Sequence, residues 1–180
     1  MVYILLGEGY EEIEAVTPCD ILRRGGVAVS FAAVGNQKCV AGSHKITICC
    51  ELLTRDITPQ PKDIFVIPGG MGGVNSIQSD TETMNLLRAA AEIGAEFAAI
   101  CAGPSVLAQL GLLEGKHITC YPGCEELMDG ALCDSTKLVA SDGSLITGRA
   151  PGSAIDFGLA LLAHIIGEDA ANKIRTELVY

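Results

Sequence analysis

The sequence predicts an α/β fold, with a mostly parallel sheet, helices on both faces and a cysteine nucleophile elbow at one strand end. Three observations lead there. Short apolar runs alternate along the chain with segments of helical periodicity. Several of those runs stop at glycine-rich turns. One of them, Phe97-Ala-Ala-Ile100, leaves only Cys101, Ala102 and Gly103 before Pro104, and proline is tolerated in a first helical turn. That spacing describes a tight strand–turn–helix corner with a cysteine at its apex.

The elements follow in order. Val2 to Leu6 is a continuous apolar run and reads as a strand covered on both faces. Ile13, Val16, Ile21 and Leu22 recur at roughly helical spacing, and Gly25-Gly26 stops that helix. Pro18 falls inside it and marks an irregularity. Val27 to Val34 is the second strand, and Lys38 to Cys50 a small hairpin around Gly42-Ser43. Leu52 to Lys62 reads as a connection. Asp63 to Ile67 is a buried strand ending at Pro68-Gly69-Gly70, and Thr81 to Gly94 is a helix. Beyond the elbow, Pro104 to Leu110 is a helix, His117 to Tyr121 a strand, and Pro122 opens a short helix. Leu138–Ser141 and Leu145–Thr147 form a hairpin through Asp142-Gly143. Ala154 to Ile166 and Glu168 to Leu178 are the last helices. No repeat or linker divides the chain, so residues 1–180 are expected to form one domain.

Composition narrows the function. A formal net charge of −10 argues against a nucleic-acid partner. No uncharged apolar run is long enough to cross a bilayer, and Met1-Val-Tyr-Ile-Leu-Leu-Gly lacks the basic flank of a signal peptide. Eight cysteines invite a disulfide reading, but a chain this rich in apolar residues needs no staples. Reduced thiols and a cytoplasmic location are therefore expected. Cys120-x-x-x-Cys124 has no matching His/Cys pair, so no metal is expected.

The chemistry gathers at strand ends, where open α/β sheets bind their ligands. Strand one runs into Glu8 to Glu14, the Asp63–Ile67 strand into Gly69-Gly70, and the elbow strand into Cys101. A thiol at a helix start is favoured as thiolate by the helical N–H groups. The competing reading is a buried structural cysteine, since free cysteine packs as a small hydrophobe. For the glutamates, the competing reading is a solvated first turn, and Glu8, Glu11 and Glu12 are assigned to it. His44, His117 and His164 read as ordinary surface or structural histidines.

Four motifs in order, Glu11-Glu-Ile-Glu14, Val66-Ile-Pro-Gly-Gly70, Ala99-Ile-Cys-Ala-Gly-Pro104 and Thr147-Gly-Arg-Ala-Pro-Gly152, resemble the ThiJ/PfpI superfamily over nearly the whole chain. The likeness is greatest to its DJ-1-like deglycase branch and the bacterial relatives of that branch. The resemblance implies a flavodoxin-like three-layer sandwich and a homodimer. It implies that Cys101 is the reactive cysteine and that Glu14 hydrogen-bonds its sulfur. Gly70 and Ala102 correspond to the oxyanion N–H donors, and Gly69, Tyr121, Arg149 and Pro151 to substrate-binding positions. Tyr121 stands where several members carry histidine, so a Cys–His dyad is not expected. The pair would share one proton, with Glu14 kept neutral by burial while Cys101 carries the charge.

The activity so implied is a cofactor-independent glyoxalase or deglycase acting on methylglyoxal, related dicarbonyls or glycated protein. The alternative is a redox-responsive cysteine protein or chaperone, since an accessible low-pKa cysteine also suits oxidation. Other folds fit less well. A class I glutamine amidotransferase needs a late His-x-Glu, whereas His164 precedes Ile165-Ile166. An FMN phosphate would be repelled by Glu8, Glu11 and Glu12.

Overall fold

The central strands are apolar on both faces, and the alternating direction of their side chains decides the layering. A computed structural model describes residues 1–180. Strands β1 (Val2–Leu6), β2 (Val29–Ala33), β5 (Leu52–Leu53), β6 (Ile64–Ile67), β7 (Glu96–Ile100), β10 (Val139–Asp142) and β11 (Leu145–Gly148) form one seven-stranded sheet. Its order is β10-β11-β7-β6-β1-β2-β5, and every neighbouring pair is parallel except β10 with β11. Ile4 and Leu6 of β1 face one core together with Ala98 and Ile100 of β7. Leu5, Phe97 and Ala99 face the other. The period-2 alternation thus feeds two separate cores from a single set of strands.

Helices α1 (Glu12–Arg24), α5 (Ala154–Ile166) and α6 (Glu168–Glu177) cover the first core. Helices α2 (Met71–Ser79), α3 (Thr81–Glu92) and α4 (Pro104–Gln109) cover the second. This is the expected flavodoxin-like α/β sandwich. Glycine lets α1 and α5 approach closely: a Cβ on Gly158 would stand 2.8 Å from Ile21 Cδ1 and 3.1 Å from Pro18 Cα. Pro18 lies within α1 without ending it. Having no N–H, it leaves the carbonyl of Glu14 without its usual helical donor.

Several expectations need correction. Ile13 and Val16 are exposed, while Ile21 and Leu22 are buried as expected, and the buried face of α1 also carries Glu12, Glu14, Ala15, Pro18 and Cys19. The connection after Cys50 contains the edge strand β5 and a 3₁₀ turn at Thr54–Asp56. Helix α2 was not expected at all. The predicted strand His117–Tyr121 shrinks to β8 (His117–Ile118), which pairs in parallel with β9 (Leu132–Cys133) outside the main sheet. The expected hairpin is present as β3 (Cys39–Ala41) and β4 (Thr47–Cys49). Its end residues Cys39 and Cys49 are joined by a disulfide, contrary to the expectation that all thiols are reduced. The physical reason is local: the hairpin register sets these two residues directly opposite one another.

Candidate functional site

The sheet order reverses at β1. The chain leaves β1 toward β2 on one side and returns to β6 on the other. Such a switch point opens a crevice at the carboxyl ends of the strands. Three loops meet there, one each from β1, β6 and β7.

Cys101 forms the apex after β7. Its backbone has φ 66°, a left-handed conformation that costs a non-glycine residue roughly 1–3 kcal/mol. Neighbours hold it in place: its N–H donates to the Gly148 carbonyl at 2.9 Å, and its own carbonyl accepts from Tyr121 N at 3.0 Å. The turn then passes tightly under β6, because a Cβ at Gly103 would collide with the carbonyl oxygen of Ile67. Helix α4 starts at Pro104, as the sequence requires.

Glu14 enters from the first turn of α1. It is fully buried, and its Oε2 accepts a 2.7 Å hydrogen bond from Gly69 N. Oε1 has no hydrogen-bond partner. The Cβ that Gly69 lacks would sit 2.6 Å from Glu14 Oε2, 2.8 Å from Cys101 Cβ and 3.0 Å from Cys101 Sγ. Carboxyl and thiol therefore converge on one point, and only glycine leaves room for both. Gly70, at φ 81°, turns the chain under the first loop, where a Cβ would meet Glu11 N at 2.7 Å.

Charge in this corner is strongly constrained. Burial raises the Glu14 carboxyl from its ordinary value to about 7, and nearby Glu11 adds to the rise. Hydrogen bonding with the Cys101 thiol and the Gly69 amide acts in the opposite sense. Burial first, and the Glu14 carboxyl second, push the Cys101 thiol up, while the amides of Ala102 and Gly70 pull it down. The rise at Glu14 runs in the expected direction, and a carboxyl at about 7 is divided between its neutral and ionised forms near neutral pH. The rise at Cys101 runs against a thiolate in the resting pair while Glu14 is ionised. The two groups act together as a one-proton couple.

Glu11, Gly70, Met71, Cys101, Ala102, Tyr121, Cys124 and Pro151 line a cavity of about 360 Å³ over the sulfur. Of the expected site residues, Cys101, Gly70, Ala102, Tyr121 and Pro151 are at its wall, with Glu14 beneath. Gly69 lies outside the wall, because it is buried and its N–H is committed to Glu14. Arg149 is also outside: its Nη1 donates to the carbonyl of Thr136 at 3.3 Å. Tyr121 reaches the wall from a loop rather than from a strand end.

Glu11, Met71 and Cys124 are wall residues that sequence reasoning missed. Glu11 had a signal in its place beside Glu14, but was assigned to the solvated first turn. The same assignment fails for Glu12, which is only 6% exposed. Burial raises its carboxyl, yet hydrogen bonds from the His44 side chain and from the amides of His44 and Ile46 outweigh this and hold it at about 2. His44 is correspondingly raised by that bond and by Glu11.

Comparisons with known proteins show the family and the fold. Residues 1–164 match the sequence profile of the DJ-1/PfpI family. Protein dj-1beta of Drosophila melanogaster is 33% identical over 177 residues, which is 98% of this chain and 95% of that protein. A Caenorhabditis elegans protein named glutathione-independent glyoxalase DJR-1.2 is 29% identical, covering 95% of this chain and 91% of its own. Among solved structures, a cysteine-to-alanine mutant of a DJ-1 superfamily protein from Salmonella typhimurium superposes with a TM-score of 0.93. It is 25% identical and covers 99% of this chain and 97% of that one.

Proposed function

We propose, for a chain that belongs to the DJ-1/PfpI family, that Cys101 and Glu14 convert small dicarbonyls such as methylglyoxal to the corresponding hydroxy acid without a cofactor. The observation that carries this reading is the convergence of thiol and carboxyl at the Gly69 gap, under a small cavity. The glyoxalase relative supports the substrate class.

The chemistry follows from the geometry. The Cys101 sulfur adds to the aldehyde carbon as the thiol proton passes to Glu14, a carboxyl whose pKa near 7 suits proton transfer in both directions. The N–H groups of Gly70 and Ala102, which point at the sulfur, reach the adjoining carbonyl oxygen and hold its developing charge. Glu14 returns the thiol proton to the new alkoxide, giving a hemithioacetal, and then takes the C–H proton of the former aldehyde carbon. The hydroxyl proton passes to the neighbouring oxygen, and Glu14 delivers the C–H proton to the neighbouring carbon, leaving a thioester. Water cleaves the S–C bond and regenerates the thiol. No external oxidant is needed, because one carbon is oxidised as its neighbour is reduced. Removal of protein adducts would follow as the carbinolamine reopens to free amine and dicarbonyl, whose aldehyde Cys101 then attacks by the same steps.

The test is product identification. Purified protein incubated with methylglyoxal should yield lactate, Cys101→Ala should abolish the yield, and Glu14→Gln should reduce kcat by ~10²–10⁴-fold. Lactate formation by the Cys101→Ala protein above buffer and free-thiol controls would refute the nucleophile. The alternative, a redox-responsive protein or chaperone, predicts no lactate but oxidation at Cys101 under mild peroxide. We further place the protein in the cytoplasm as a one-domain homodimer.

A further inference from the structure

Two cysteines outside the reacting pair meet beside the cavity. The sulfurs of Cys120 and Cys133 are 3.2 Å apart. Their segments are held side by side: β8 lies parallel to β9 with Ile118 opposite Cys133. Leu132 N donates to the Lys116 carbonyl at 2.8 Å, and Asp134 N to the Ile118 carbonyl at 2.9 Å, so backbone bonds on either side of Cys133 hold it against the segment that leads to Cys120. A disulfide needs a sulfur separation of about 2.05 Å, so closure asks for a movement of about 1.2 Å. The chain between them carries Tyr121 and Cys124, both in the cavity wall.

The two thiols differ in access. Cys120 is fully buried and Cys133 half-buried. Burial, then the hydrogen bond with Cys133, raises the Cys120 thiol. Cys133 is therefore the member that a solvent-borne oxidant meets first.

We propose that Cys120 and Cys133 form a reversible dithiol–disulfide site that reacts with small hydroperoxides. The Cys133 sulfur attacks one peroxide oxygen; an S–O bond forms and the O–O bond breaks. Two electrons pass to the peroxide, whose other oxygen leaves as water, and Cys133 becomes a sulfenic acid. The Cys120 sulfur then attacks the Cys133 sulfur. An S–S bond forms, the S–O bond breaks, and hydroxide departs as water with the Cys120 proton. In total two thiols lose two electrons and two protons, and hydrogen peroxide becomes two waters. A small thiol reverses the step by exchange. The bond ties the loop bearing Tyr121 and Cys124 to β9. The proposal is independent of the chemistry assigned to Cys101.

Peptide mapping tests it. The full-length Cys101→Ser protein is treated with hydrogen peroxide, blocked with N-ethylmaleimide, and digested without reduction. A peptide joining Cys120 to Cys133 is expected, with a loss of two hydrogen masses that reduced glutathione restores. The Cys133→Ala protein, altered at the less buried partner, should show no such loss while retaining its circular dichroism spectrum. N-ethylmaleimide on both Cys120 and Cys133 after peroxide treatment would overturn the proposal. So would a Cys120–Cys124 peptide in place of the expected one, or retention of the mass loss in Cys133→Ala.

Discussion

Glu14 and Glu12 sit two positions apart in one helical turn and pull stability in opposite directions with pH. The raised Glu14 carboxyl means that the folded chain holds a proton the unfolded chain has released. Its stabilising contribution is complete below the ordinary 4.5 and is lost as pH rises through about 7. Glu12, held at about 2, contributes above 4.5 and loses that contribution as pH falls toward 2. Glu14→Gln should therefore flatten the fall in stability between pH 4.5 and about 7 and leave the acid limb in place. Urea midpoints measured across that range test it; a slope equal to the parent's contradicts it. Tyr121 offers a second comparison. A phenol is a poor general base at neutral pH, so Tyr121→Phe should keep kcat/KM for dicarbonyl consumption within tenfold, about one hydrogen bond's worth. A thousandfold loss in a folded variant would give the phenol a chemical role. Cys101 was legible at its corner because Phe97 to Ile100 and Pro104 leave only a tight turn between them, whereas Glu14 came from the family resemblance and not from spacing. Glu12 was not legible, since its burial depends on the hairpin bearing His44, which folds over it from more than thirty residues away.

At the scale of elements, glycine positions are most exposed to test. Gly158→Val would place a branched side chain against Ile21 and Pro18, and overpacking of this kind costs ~1–3 kcal/mol. Thermal or urea unfolding should register that loss, and a variant as stable as the parent would show that α1 and α5 can slide apart freely. Most strands and helices could be read from periodicity alone. Helix α2 could not: Met71-Gly-Gly opens with two poor helix formers, and its burial rests on Gly73, Val74 and Ile77. Gly73 is nonetheless required where it stands, since a Cβ there would meet Tyr10 N at 2.9 Å. Strand β8 erred the other way. His117 to Tyr121 alternates like a strand, but Tyr121 N is drawn to the carbonyl of Cys101, and the chain leaves the ladder early.

For the whole molecule, apolar residues left in solvent bear on assembly. Ile13 and Val16 on α1 are exposed, and so is Ile46 beside β4. With the family resemblance, they support a two-fold dimer that brings α1 or the Cys49-Cys50 region against a second copy. Light scattering at micromolar concentration should give twice the 18.7 kDa chain mass, and a monomer would count against the dimer. The order of the sheet has one more consequence. Its outer strands are poor templates for recruiting a foreign strand. On one side β5 offers two residues before the chain turns away into a 3₁₀ helix. On the other, the Asp142 carboxylate at the end of β10 accepts from His117 N and Lys116 Nζ, so the β8 segment lies alongside. Charge and cover at a sheet margin discourage edge-to-edge pairing. Parallel pairings between distant segments tend to form late and leave strands unpaired meanwhile, so these margins guard the chain against aggregation once its last hairpin has closed.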